Sequence, residues 1–399
     1  MAKITCLTCA YNAEKTLERT IKSLLGQTYT DIKYIVIDHG STDKTRKIIQ
    51  EFEKKDNRIH GIYYDKNKGA HAASSYIFEN MVSEAVNTQW FAVLDSDDEY
   101  KINAFEHMLD FAEKKSLDLV CCGSDFYDYN ADKLIGKRIV NNSLVVDTIA
   151  DFDKLFCYYH IFMRTHWGKL VSSKVISQCD FSWMKYDLYY DTSFSFEALK
   201  HANSFGIINE SLHIYNYSTS SSSYRMEPSV EGKPELKLMA NSRIYDFTCD
   251  FLNVKTGHMS DQNYKFMLYV YLNSLLDTLD VYLNADIDNH LRLDLIYEMF
   301  SCDPTYNLMS YYNHGTDHEL KNKIKRLFVT VNSWLTTLSE IDDNQMENYC
   351  SLGEGISNAC DDVVTFMFFR RKRIEFYMNT DRMKEAEVLI NELKQLYGF

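Results

Sequence analysis

The chain has 399 residues, 43 of them basic and 57 acidic, for a net charge of −14. That balance argues against a nucleic-acid partner, which needs a basic face to neutralise phosphates. The 45% apolar and 14% aromatic content argues against disorder, and at roughly 100–200 residues per domain the length predicts two or three domains.

No apolar run approaches the ~20 residues that span a bilayer; the longest, Val363–Phe369, is interrupted by Thr365. The opening MAKITCLTCAYN lacks the charged, apolar, small-residue order of a secretory leader. The expectation is a cytoplasmic protein with no transmembrane segment, at most peripheral at the inner membrane face. Ten cysteines are too dilute for a disulfide framework. Cys6 and Cys9 have CxxC spacing but fall in a predicted strand with no second ligand pair, so they read as packing rather than zinc ligands.

Strands are predicted at Lys3–Cys9, Lys33–Asp38, His60–Tyr64, Trp90–Asp95 and Asp118–Ser124. Helices are predicted between them at Ala13–Gln27, Asp43–Lys55, Ala70–Val86 and Asn103–Lys115. This alternation predicts an α/β, Rossmann-like, mostly parallel doubly wound sheet, whose ligands bind at the carboxyl ends of the strands. Leu134–Val146 reads as an antiparallel excursion, Ala150–Tyr159 and Asp191–Ala202 as helices, and Phe205–Tyr217 as a strand. A polar run from Ser218 to Ser223, followed by Pro228, Gly232 and Pro234, reads as a linker. Beyond it the pattern is helical. Leu268, Leu272, Leu276, Leu279 and Leu283 fall on one face, as do Leu389, Leu393 and Leu396. The predicted division is therefore 1–225, an α/β domain, and 226–399, an all-α domain for acceptor docking or oligomerisation.

Four polar clusters sit at the predicted strand ends: Thr8-Cys9-Ala10-Tyr11-Asn12, Asp38-His39-Gly40-Ser41-Thr42-Asp43, Asn67-Lys68-Gly69 and Asp95-Ser96-Asp97-Asp98. Carboxylates two apart off a strand end can point to one side, and hard oxygen ligands suit Mn2+ or Mg2+ held together with a substrate diphosphate. The same DSDD also reads as an acidic turn before the helix near Asn103. Asp38 closes a buried apolar strand, where a carboxylate needs a partner; that partner is a uracil N3–H or its own turn. Tyr11 is placed to stack on a base or to sit exposed in a loop.

In this order, TCAYN, VIDHGSTD, NKGAHAASSY and VLDSDD resemble the successive motifs of the family 2 glycosyltransferases. Trp167-Gly168-Lys169-Leu170 resembles that family's W-x-K-L segment, and Tyr190-Asp191-Thr192-Ser193-Phe194 its E-D-x-x-F segment. The resemblance covers roughly residues 1–225 and implies a GT-A fold and inversion at a nucleotide-activated sugar. By the same resemblance Asp38 and Tyr11 hold uracil, and the backbone at Thr8 and Ala10 lines that pocket. Ser41, Asn67, Gly69 and Ser96 complete the donor side. Asp95 contacts ribose or metal, Asp97 ligates the metal, and Asp191 is the base. From its position alone, Asp191 also reads as a helix cap. His166, Trp167 and Lys169 are candidates for the acceptor side.

Four positions depart from the family pattern: Ala10 replaces a proline, His39 an acid, Ser74 an arginine and Tyr190 a glutamate, with His71 or Lys68 compensating for Ser74. The expected activity is transfer of N-acetylglucosamine or a hexose from a UDP-sugar to a hydroxyl of a glycan, lipid-linked or protein acceptor, flagellin among them. A UDP-sugar-binding module without turnover is the non-catalytic alternative. A nucleotidyltransferase would carry a Gly-rich basic loop after the first strand, which TCAYN lacks. Arg370-Arg371-Lys372-Arg373 reads as a solvated helix face or a basic patch for an acidic or membrane partner.

Overall fold

The computed structural model describes residues 3–68, 70–182, 190–217 and 235–397, without the side chains of 70–74, 235–241, 243 and 397. Gly69, the side chains of His71 and Ser74, and the expected linker over 218–234 lie outside the described residues.

The strands are β1 (Ile4–Ala10), β2 (Ile32–His39), β3 (Ile59–Tyr64), β4 (Trp90–Val93), β5 (Glu99–Tyr100), β6 (Leu119–Asp128), β7 (Lys133–Arg138), β8 (Leu144–Val146), β9 (Lys169–Ser172) and β10 (Phe205–Tyr217). They form one ten-stranded sheet in the order β3-β2-β1-β4-β9-β6-β10-β5, with β7 on β6 and β8 on β10. The long ladders β1–β2, β2–β3, β1–β4 and β6–β10 are parallel, as the alternation of strands and helices predicts. The short joins are antiparallel: β4–β9, β6–β9, β5–β10, β6–β7 and β8–β10. The sheet is mixed because β9 and β5 insert or append strands too short to carry a period in sequence.

In β1 all residues but Cys9 are buried, and in β2 all but Lys33, as expected of strands covered on both faces. The helix Leu17–Leu25 presents Leu17, Thr20, Ile21 and Leu24 inward at helical spacing. With Ile4, Cys6, Tyr34, Val36, Phe105 and Met108 these apolar residues make one core cluster. Cys6 is completely buried there, which is the packing role expected of it, and all ten cysteines are free thiols.

The chain divides into two compact units, Met1–Arg225 with Phe247–Asn263, and Met226–Asp246 with Tyr264–Phe399. The first unit regains 247–263 through specific contacts: Phe251 packs on Phe196 at 5.0 Å, Lys200 pairs with Asp250 at 2.8 Å, and Asn263 Nδ2 donates to the Asp153 carbonyl at 2.9 Å. Among its described residues the second unit has helices as its only regular elements. Asp288, Asp317, Asp342 and Asp362 each cap a helix there, a side-chain oxygen accepting a backbone N–H of the first turn. Leu268, Leu272 and Leu279 are buried as expected, but Tyr271, Leu275 and Tyr282 complete that face. Leu276 and Leu283 are only half-buried, because the buried stripe runs one position off the leucine ladder; on the last helix Leu396 is 66% exposed. No helix among the described residues is long and apolar enough to cross a membrane.

Candidate active site

The strand-end loops are clasped to one another before any ligand is considered. Asn12 adopts a left-handed φ of 49°. Its N–H donates to Ser41 Oγ at 3.0 Å, and its Oδ1 accepts from the Thr42 N–H at 2.9 Å. Gly40 has φ 74°, and a Cβ there would lie 2.4 Å from the Lys66 carbonyl carbon. The β2 end can therefore reach the loop after β3 only with glycine. His39 accepts the Lys68 N–H at 3.3 Å and packs edge-on against Tyr64 and Tyr76. It holds up the loop carrying Asn67, whose side chain is exposed.

Asp38 is completely buried beside Ala10 in the β1–β2 register. One oxygen accepts Arg46 Nε at 2.6 Å and the other the Ser41 N–H at 3.0 Å. The carboxylate thus has one partner within its own turn and one, Arg46, on the helix that follows, and Ser41 is part of the same clasp. Thr8 is buried, donating to the Leu94 carbonyl at 2.7 Å and accepting from Tyr34 at 2.9 Å. Tyr11, one residue past β1, is 47% exposed.

The Asp95–Asp98 turn is held from behind through its backbone and its last carboxylate. The Ser96 carbonyl accepts from Thr16 and Thr20 at 2.9 and 3.0 Å, and the Asp97 carbonyl accepts from Arg19 at 2.9 Å. Asp98 is buried, accepting the Asn216 N–H at 2.8 Å and lying 3.3 Å from His213. Burial, followed by the charges of Asp95 and Asp97, pushes the Asp98 carboxyl well up. With the turn fixed in this way, the carboxylates of Asp95 and Asp97 are left for the front of the site. Burial and the neighbouring Asp95 charge push Asp97 up to about 6, the condition of a carboxylate in want of a cation. Among the described residues it forms no ion pair. Asp97 with Asp95 thus fits the hard oxygen donor set that a divalent cation takes.

His166 joins the two halves of the site. Its ring, 3% exposed, meets Asp95 Oδ1 through Nε2 at 3.0 Å and Asp191 Oδ1 through Nδ1. Burial alone would lower its pKa, but the Asp191 and Asp95 carboxylates outweigh burial and raise it to about 10. A single imidazolium therefore donates to both acids. Asp191 lies in the first turn of the helix Tyr190–His201, inside the helix rather than at its cap, with its side chain 35% exposed.

Trp167 and Lys169 do not reach the open site. Trp167, 4% exposed, is stacked on His213 at 4.3 Å, with the Arg138 guanidinium 4.5 Å from its ring. Lys169, 1% exposed, donates to the carbonyls of Phe162, Thr165 and Trp167, and burial lowers it to about 8. Three carbonyls satisfy the three ammonium donors, so Lys169 anchors the segment that presents His166 instead of lining an acceptor. Gly168, at φ 68°, turns that segment and donates its N–H to Tyr100 at 3.0 Å.

Residues 5–184 match the model of Glycosyl transferase family 2. This region belongs to that family. Its curated relatives include the putative teichuronic acid biosynthesis glycosyltransferase TuaG of Bacillus subtilis, 35% identical over 127 residues, 32% of this chain and 46% of that protein. Glycosyltransferase GlyG of Streptococcus pneumoniae is 32% identical over 120 residues, 30% of this chain and 38% of that protein. The chain thus spans less than half the length of either relative. Staphylococcus aureus TarS 1-349, solved in complex with UDP-GlcNAc, aligns over 94% of this chain and 92% of its own, with a TM-score of 0.46 and 13% identity. The family 2 region contains Asp38, Asp95, Asp97 and His166; Asp191 lies seven positions beyond its matched end.

Proposed function

We propose that the family 2 unit is a metal-dependent, inverting glycosyltransferase. It would move a sugar, N-acetylglucosamine or a hexose, from a UDP-sugar to a hydroxyl of a cell-surface glycan. The observation that carries the reading is the His166 bridge. It brings Asp95, at the end of β4, and Asp191, at the start of a distant helix, to the two nitrogens of one ring. Inversion is a single in-line displacement, so it calls for one carboxylate that takes the acceptor proton on the face away from the leaving nucleotide. Asp191 is a carboxylate with 35% of its side chain exposed and held by the adjacent His166 ring, which suits that role.

Asp97, together with Asp95, would hold Mn2+ or Mg2+, and such an ion neutralises the charge that develops on a diphosphate leaving group. The exposed Tyr11 ring beyond β1 offers a stacking face for the uracil, and the Asn12–Ser41–Thr42 clasp keeps the β1 and β2 loops in one arrangement around it. The relative named for teichuronic acid biosynthesis favours a polysaccharide acceptor. The test is a panel of UDP-sugars assayed for UDP release with and without Mn2+, the anomer of the product being read by NMR. Metal-dependent release with inverted product is the expected result. Retention, or turnover undiminished in a chelator, would overturn the reading.

A further inference from the structure

Away from Asp95, Asp97 and Asp191, three unlike side chains converge. Cys179 Sγ, a Glu197 carboxylate oxygen and a His201 ring nitrogen all lie within 4.8 Å of one another. Glu197 and His201 sit four apart on the helix Tyr190–His201, and so share a face, with His201 Nε2 at 3.2 Å from Glu197 Oε1. Such a helical pair needs no third member. Cys179 nevertheless comes to it from a separate element, the turn after the short helix Ser173–Ile176.

The donor set is chemically specific. One sulfur, one imidazole nitrogen and one carboxylate oxygen are the three ligand types zinc accepts, and three protein ligands with a fourth position for water is a recognised zinc arrangement. With bonds of about 2.0–2.3 Å, tetrahedral ligands stand roughly 3.3–3.8 Å apart, so side-chain adjustments alone would close the set. The carboxylate is already oriented: Glu197 has 9% of its side chain exposed, and the Asp180 N–H donates to its Oε1 at 3.1 Å. Ligating carboxylates need this kind of outer hydrogen bond. The neighbouring cation does not occupy the place, since Lys200 Nζ stands 3.9 Å from Glu197 but 2.8 Å from Asp250. Burial, and then the Glu197 charge, hold the Cys179 thiol protonated in the metal-free protein, its S–H directed to the Val175 carbonyl at 3.3 Å.

The geometry points to a second metal site: Cys179, Glu197 and His201 bind one Zn2+, with water in the fourth position. On binding, the Cys179 S–H bond breaks, a Zn–S bond forms and the proton passes to solvent. The ion ties the turn at Cys179 to the last turns of the helix whose first turn carries Asp191. It is therefore a staple for that helix and takes no part in the chemistry proposed above.

The full chain, stripped with a chelator and kept reduced, is titrated with Co2+ as the spectroscopic probe and then with Zn2+. The expected result is a thiolate-to-cobalt charge-transfer band that saturates at one equivalent and is bleached by Zn2+. The band is absent in Cys179→Ser, and affinity falls about tenfold or more in Glu197→Gln and His201→Asn. Asp97→Asn keeps the band, which separates this site from the donor site. Circular dichroism verifies that each variant is folded, and Zn2+ raises the melting temperature of the parent but not of Cys179→Ser. A folded parent with no charge-transfer band, or a band that survives Cys179→Ser, would overturn the proposal.

Discussion

The helical unit and the Asp95–Asp98 turn of the sheet unit handle charge differently. In the helical unit, cations and carboxylates find one another. Arg370 pairs with Glu354 and Glu392, Arg373 with Glu347 and Glu354, and Arg382 with Glu347 and Glu385. The basic run at Arg370–Arg373 is thus drawn into a lattice of ion pairs along its helix, and Lys372 lies over the rings of Tyr349 and Phe368. In the sheet unit the Asp95–Asp98 turn is fixed by the Thr16 and Thr20 hydroxyls, the Arg19 guanidinium and Asp98, while among the described residues the Asp97 carboxylate forms no ion pair. The difference teaches where to look for ligand binding: at acids that the fold has positioned without neutralising.

The comparison breaks first at Asp191. Asp191→Asn should lower turnover by about 10²–10⁴-fold while UDP binding, measured by calorimetry, stays within about threefold. An equal loss of both would make Asp191 a structural residue. In the helical unit, Arg370→Ala should cost about 2–3 kcal/mol in chemical denaturation, because it leaves Glu354, 7% exposed, short of a partner in a buried pair. A cost near zero would show that lattice to be ornamental.

Asp97 gives the opposite sign. Its carboxyl is raised from 3.8 to about 6, so between about pH 4 and 6 the native state binds more protons than the unfolded state. On this account the metal-free protein loses stability as pH rises through that window. Asp97→Asn should remove the penalty, stabilising the metal-free protein at pH 7 by up to about 3 kcal/mol and flattening its pH profile. A destabilised variant would mean that Asp97 serves the fold. The smallest effect expected is at a cap: Asp317→Ala should cost about 1 kcal/mol by removing the acceptor for the Leu320 N–H, with no change in UDP binding.

Much of the sheet unit was legible in the sequence because its strands are long, apolar and separated by amphipathic helices. β1, β2, β3 and β10 fall within one or two residues of expectation. β5 and β9 were not legible, because strands of two and four residues carry no usable period and are set by the neighbours they pair with. The individual acids at the strand ends were visible as types at positions, but their partners were not. Arg46 on Asp38 sits eight residues away on a helix. The His166 bridge spans 71 residues to Asp95 and 25 to Asp191, separations that no local pattern encodes. Lys169 was a candidate for the acceptor side; the three carbonyls that converge on it are visible only once the chain has folded. In the helical unit the leucine ladder pointed to the right helix but the wrong margin, since tyrosines share its buried stripe.

The most direct test of the central claim is a calorimetric titration of UDP into the full chain, with and without Mn2+, repeated on Asp97→Asn. The account predicts binding that strengthens with Mn2+ in the parent and loses that dependence in the variant. UDP binding indifferent to both metal and Asp97, or no UDP binding under either condition, would contradict it.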